Sequence, residues 1–358
     1  GLILYNQEKL NQAEGLLKGL VVRYTNDAVA QQALGTLKEI AVDSDKVPQF
    51  TQWLKSLNID TFSDNELEQT AFSAAEKQFL SDRKNQAKKS FNSYLESYPQ
   101  GRNALNAHFA LAEIYFEESE TDAALVHYQK LIDEKPNEFF EQALVRATQI
   151  LVKQQMQEKA VPLWTQLEAA AVFPENKRYA MFNLMRTYYE SQEFENAQSE
   201  AEAVLELKNI EVKVKWDAYE ILAQTSIALG DSLKAQSAFE VLEKAPIDQL
   251  AAEAYYFRAH QNHKNKDFEK SNEVIALLSQ KFSSQPNWAA KSLLLMAKNF
   301  YAVKDAFQST YILESLLENY KQFPEILKEG ETLLNQIKEK QSEQNATLSQ
   351  PNDNNEVQ

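Results

Sequence analysis

Few side chains in this sequence are of a kind that does chemistry, and their spacing narrows the choice further. There are four histidines, His108, His127, His260 and His263, and no cysteine. Thiol nucleophiles, disulfides and cysteine-based zinc sites are therefore excluded. His260 and His263 are three apart, which puts both rings on one side of a helix where they could seat a metal ion. Asp267 lies one turn further on, but no third ligand falls at an obvious spacing. The pair is read as solvated or groove-lining, and no metal or cofactor is assigned. There is no Gly-rich phosphate loop, nucleophile elbow or H-E-x-x-H motif. Asp and Glu pairs are plentiful, but on amphipathic helices they form the wet face, so no acid–base pair is assigned. The expectation is a protein without catalysis.

The elements that position these residues follow from composition and period. With 7 Gly against abundant Ala, Leu, Glu, Gln and Lys, the 358 residues favour helices and lack the turn residues of an all-β chain. An apolar fraction of 44% supplies a core. The formal charge of −15 repels phosphate backbones and anionic lipid, which argues against nucleic acid as a partner. No apolar run reaches the length of a membrane-spanning helix.

A small residue opens a helical segment at Ala87, Ala124, Ala160, Ala197, Ala235, Ser271 and Ser309, at spacings of 37, 36, 37, 38, 36 and 38. Boundary prolines give a second ruler: Pro99, Pro136, Pro174, Pro246, Pro286 and Pro324 are separated by 37, 38, 72, 40 and 38. A period of this size is the mark of a repeat array. Within each unit the apolar residues recur at helical spacing on two segments, as Leu111, Ala112 and Tyr115, then Ala124, Tyr128 and Leu131. Each proline is read as closing the second helix of a hairpin.

The unit His108, Leu111, Ala112, Tyr115, Ala124, Tyr128, Leu131 and Pro136 resembles the tetratricopeptide repeat, W-x2-L-G-x2-Y then A-x3-F-x2-A then P. One unit before it and five after it keep the same register over residues 67 to 320. They are longer than the family's usual unit, and its Trp and Gly are mostly replaced. The resemblance implies an all-α, right-handed α-solenoid of helical hairpins whose first helices line a concave face. Long, Trp-poor units resemble those of bacterial cell-envelope members: partners of the Tol-Pal system and of outer-membrane assembly, and the C-terminal parts of large Bacteroidetes repeat proteins. A periplasmic or envelope location is what that likeness implies.

Carried onto this sequence, the groove register selects Phe72, Glu76 and Phe79; Phe109, Glu113 and Phe116; Gln149; Phe182, Arg186 and Tyr189; Glu220 and Gln224; Tyr256, His260 and His263; and Lys298 and Tyr301. Aromatic anchors among polar groups are the material of peptide hot spots. Packing between neighbouring repeats is the alternative for Phe72, Phe109 and Phe116. Chaperone-binding members clamp a carboxylate with Lys and Asn, where this chain has Phe72/Glu76 and Phe109/Glu113. A basic or apolar-aromatic polypeptide segment is therefore the expected partner.

The expected organisation is a truncated hairpin plus a less regular helical pair over 1–57 and a polar linker over 58–66. Six to seven repeats over 67–322, a capping helix over 323–340 and a disordered tail over 341–358 complete it. The opening "GLILYNQEKL" reads as a repeat lacking its first half, as in the C-terminal piece of a longer protein. Two rival functions stand beside the scaffold: a self-associating structural spacer, and a helical accessory domain of an envelope hydrolase.

Overall fold

A computed structural model of the protein describes residues 1–25, 27–59 and 61–348, with side chains described to 343. Every regular element among them is a helix. These are α1 (Leu2–Asn6), α2 (Leu10–Arg23), α3 (Ala28–Asp43), α4 (Val47–Ser56), α5 (Asp64–Leu80), α6 (Lys84–Ser97), α7 (Ala104–Glu117), α8 (Thr121–Asp133), α9 (Phe140–Lys153) and α10 (Gln157–Ala170). There follow α11 (Pro174–Glu190), α12 (Phe194–Glu206), α13 (Val212–Ala228), α14 (Ser232–Leu242), α15 (Asp248–Lys264), α16 (Phe268–Lys281), α17 (Pro286–Ala302), α18 (Ala306–Asn319) and α19 (Pro324–Leu348). Consecutive helices pair as antiparallel hairpins that pack one on the next from α1 to α10 and again from α12 to α19, so the architecture is an α-solenoid. By contact the chain divides within α11 into two compact units, Gly1–Ala180 and Met181–Gln358.

The hairpins repeat because one turn repeats. Glu8, Asp45, Asp82, Ser119, Gln155, Gln192, Gly230, Lys266 and Lys304 all have φ between 56° and 78°, and each stands between the two helices of a hairpin. Their steps are 37, 37, 37, 36, 37, 38, 36 and 38 residues. At each, the next residue's N–H reaches back to a carbonyl five residues earlier: Arg83 N to Gln78 O at 2.9 Å, Glu120 N to Tyr115 O at 2.8 Å, Asp305 N to Phe300 O at 2.9 Å. This left-handed helix end satisfies carbonyls that would otherwise be orphaned. Only Gly230 occupies it free of a Cβ cost; the other eight accept about 1–2 kcal/mol each for it.

Five residues after each turn residue comes the position read as small. Ala87, Ala124, Ala160, Ala197, Ala235, Ser271 and Ser309 are all buried, at 0 to 1% exposure. The two serines keep their hydroxyls satisfied across the hairpin. Ser271 donates to Ala259 O at 2.8 Å and Ser309 to Ala297 O at 2.9 Å.

Four sequence expectations are corrected. The pair over 28–57 is not irregular: α3 and α4 keep the same turn at Asp45, and Phe50 holds the position that is small elsewhere. Asp45 is also tied forward, accepting from Gln78 Nε2 at 2.8 Å and from Ser90 Oγ at 2.5 Å. Pro174, Pro286 and Pro324 do not end second helices. They are the first residues of α11, α17 and α19, where a missing N–H costs nothing and the fixed φ is already helical. The polar linker is shorter than 58–66, because Ser63 caps α5 and Glu66 closes the reciprocal bond; Asp60 lies outside the described residues. Finally, α19 runs to Leu348 rather than stopping at Lys340. Residues 349–358 lie outside the described residues.

Gly101 in the "QGRN" connection is required by its neighbours. A Cβ there would meet Tyr94 Oη at 2.5 Å and Glu68 Oε1 at 2.7 Å. Those two atoms form a buried hydrogen bond of 2.8 Å, and Tyr94 Oη also accepts from Asn103 N at 3.2 Å. The turn between hairpins is thus shaped around one tyrosine.

Candidate partner-binding face

In the N-terminal unit the selected aromatics are largely engaged by the protein itself. Phe72 is 6% exposed, with its ring 5.9 Å from Phe91 and 5.7 Å from Tyr94. It is a core residue, which corrects its assignment to the groove: α5 turns its aromatic toward α6 because Ala71, Ala74 and Ala75 leave the space. Phe79 is half-buried with its edge on Phe91 at 6.3 Å, and Glu76 is exposed. Phe109 stacks on Phe139 at 4.4 Å and 15°.

Glu113 is not a free acid. Its Oε1 accepts from Tyr128 Oη at 2.5 Å, and Arg146 Nε lies 3.6 Å away. The Arg146 guanidinium covers Phe116 at 4.6 Å, and its Nη1 donates to exposed Gln149 at 3.4 Å. Burial first, and then the hydrogen bond to Glu113, raises the Tyr128 hydroxyl far above the usual phenol range, so it stays a donor. Arg146, absent from the sequence selection, completes this group from α9.

The C-terminal unit arranges the same positions differently. Arg186 lies over Phe182 at 5.6 Å on α11, and Tyr189 meets Phe194 at 6.4 Å. Glu220 of α13 is pushed up by burial and by Asp217, against the pull of Arg186. Glu253 of α15 is pushed up by burial and then by Glu220, although Gln224 donates its amide to it.

Beyond these residues the first helices open into two adjoining cavities. One, of about 410 Å³, runs across α13, α15 and α17 and is bordered by Gln224, Glu253, Tyr256, His260, Trp288 and Lys291. The other, of about 290 Å³, runs from α15 to α19 and shares Tyr256, His260 and Lys291 with the first. It is closed by Lys298, Ile326 and Glu329. Tyr256 and Trp288 stand 5.4 Å apart, and Lys291 Nζ lies 4.3 Å over the Trp288 ring. Three lysines mark the cleft: Lys264, Lys291 and Lys298, the last paired with Glu329 at 2.6 Å. Burial, then Lys264, His263 and Lys298, holds His260 below the usual histidine range, so the ring is neutral at pH 7.

The structure therefore brings Gln224, Tyr256, His260 and Lys298 together, and leaves Tyr301 at the edge with Lys340 donating to its hydroxyl at 2.8 Å. His263 lies 6.4 Å from His260 between ring centroids, but its Nδ1 is bonded to Asn299 Oδ1 at 2.6 Å. Asp267 is paired with Lys270 at 2.6 Å. Among the described residues no three metal-ligating side chains gather. Sequence reasoning missed Glu253, Trp288 and Lys291. The signal was present: Glu253 precedes Tyr256 by three and Lys291 precedes Lys298 by seven, the spacings of one helix face.

Residues 106–137 match the family model of the tetratricopeptide repeat. No curated protein matches the sequence. Among solved structures, the chain is similar to the C-terminal part of a TPR repeat-containing protein from Cytophaga hutchinsonii. That likeness has 17% identity and TM-score 0.42, covering 72% of this chain and 99% of the other. It is also similar to a tetratricopeptide repeat protein from Parabacteroides merdae, with 15% identity and TM-score 0.35, covering 74% of this chain and 98% of that one. The match to the family model falls on the α7–α8 hairpin, which carries Phe109, Glu113 and Phe116.

Proposed function

We propose that this chain is a non-catalytic scaffold that holds a partner polypeptide along the first helices of its C-terminal unit. Support comes from the paired cavities on α13, α15, α17 and α19. Two aromatic rings, Tyr256 and Trp288, line them beside side chains able to bind a peptide backbone. Of the two partner chemistries suggested by sequence, an apolar-aromatic segment fits this cleft better. Its lysines, Lys264, Lys291 and Lys298, are matched by Glu253, Glu325 and Glu329, so no net charge of the lining favours a basic one. By resemblance, the scaffold works in a bacterial cell envelope; no helix among the described residues is long and apolar enough to cross a membrane.

The test is crosslinking in the native cell from a photoreactive residue at Tyr256. A control probe goes at Phe307, exposed on the second helix α18. One dominant foreign polypeptide, captured from Tyr256 but not from Phe307, and lost in Trp288→Ala, is the expected outcome. Adducts of the chain with itself alone would replace the scaffold by the self-associating spacer. Recovery of the adduct in the cytoplasmic fraction would overturn the envelope location.

A further inference from the structure

The α7–α8 hairpin contains a histidine pair that the partner face does not use. His108 on α7 and His127 on α8 bring their Nδ1 atoms to 2.9 Å, with ring centroids 5.1 Å apart. The His127 ring also lies parallel to Tyr115, at 5.6 Å and 9°. A nitrogen–nitrogen contact this short is a hydrogen bond only when one Nδ1 carries a proton and the other presents its lone pair. A neutral pair meets that condition with one Nδ1–H and one Nε2–H tautomer. A singly protonated pair meets it too, and more strongly. A doubly protonated pair cannot, because two N–H donors and two positive charges then face each other. From this geometry we infer that His108 and His127 form a latch that accepts one proton and opens on the second, releasing α8 from α7 in acid.

The surroundings offer the second charge no relief. From α6 the group facing this region is Lys88, whose Nζ lies 5.2 Å over the Tyr115 ring and is already paired with Glu118 and Glu120. On α8, Lys130 acts on His108 and disfavours its charge. From α9 the charged neighbour of the hairpin is Arg146, engaged with Glu113. Burial is the largest cause holding both rings below the usual histidine range, His127 at about 4. The sign follows. The folded rings resist protons that the unfolded chain would take up below about pH 6.5. The site's contribution to stability is therefore full above that pH and is lost as pH falls toward 4.

The latch adjoins the partner face of its own hairpin. His127 precedes Tyr128, which donates to Glu113, and His108 precedes Phe109. Opening α8 would withdraw Tyr128 and leave the half-buried Glu113 to Arg146 alone. That coupling, unlike the latch, rests on the reading of the first helices as a partner surface.

The experiment is a pH titration of the full chain by long-range ¹⁵N–¹H NMR of its histidine rings, assigned with His108→Gln and His127→Gln. At neutral pH one ring of the pair should be the Nδ1–H tautomer and the other Nε2–H. The first proton should leave the amides of residues 104–133 unmoved, and the second should collapse their dispersion. The acid midpoint by near-UV circular dichroism should fall by about half a pH unit or more in His127→Gln. If His127→Gln does not fold, His108→Gln carries the same comparison, and the tautomers of the unaltered protein still decide. Two Nε2–H rings at neutral pH, or two independent titrations near the ordinary value with native amides, would overturn the latch. If the latch opens while the amides of Phe109, Glu113 and Phe116 keep their shifts, the coupling alone fails.

Discussion

The first helices of the two units carry matching positions and put them to opposite use. In the N-terminal unit, Phe109 is stacked on Phe139, Phe116 lies under Arg146, and Glu113 is held by Tyr128 and Arg146. These side chains are satisfied by their own neighbours. In the C-terminal unit, Tyr256, His260, Trp288 and Lys291 border open volume, and Glu253 among them accepts from the Gln224 amide. Occupying a groove position is therefore not enough to make a residue available. Availability depends on whether the next hairpin presents something to cover it, as Phe139 and Arg146 do. Where the next first helix presents Trp288 and Lys291 beside Tyr256 instead, open volume remains between them.

The comparison can be broken at several points, the largest effect first. Phe72→Ala removes a buried ring from between Phe91 and Tyr94 and should cost about 3–5 kcal/mol in urea unfolding. A near-neutral result would return Phe72 to the groove. Tyr128→Phe leaves one half-buried carboxylate oxygen of Glu113 with Arg146 alone, and should cost about 1–3 kcal/mol by the same measurement. The corresponding change in the C-terminal unit, Trp288→Ala, should act on binding instead. Affinity for the crosslinked partner should drop about tenfold or more, equal to about 1.4 kcal/mol.

Glu253→Gln sharpens the contrast through its sign. Burial and Glu220 raise the Glu253 pKa, so its charge is a folded-state burden above that raised value. The burden disappears as pH falls below the unfolded carboxylate value. The variant's melting temperature should match or exceed that of the unaltered protein at pH 7, with the difference gone by about pH 4. A large loss at pH 7 would show that the carboxylate is structurally paired, as Glu113 is. The smallest effect is expected from Lys298→Met. Its ion pair with Glu329 is partly exposed, and loss should stay within about 1 kcal/mol.

Much of the array is legible in the residues. Seven buried small residues, from Ala87 to Ser309, mark the second helices because only a small side chain lets two helices approach so closely. The α3–α4 hairpin escaped because that rule has an exception. Phe50 fills the place by packing with Trp53 and Phe62, and the turn that declares the hairpin is made by Asp45, not by glycine. Eight of the nine turn residues are Glu, Asp, Ser, Gln or Lys, and of these only Asp45 and Asp82 are of a type that favours a left-handed conformation. The hydrogen bond across the turn imposes it.

What the sequence determined by itself was the period, the helical pairing and the approximate faces, because these depend on spacing along one chain. It located His108 and His127 nineteen residues apart but could not bring them together. Nor could it show that Phe72 points inward while Tyr256 lines a cavity. Those outcomes depend on which side chain the neighbouring helix places opposite, at distances of 3 to 6 Å, and only the packed hairpins decide that.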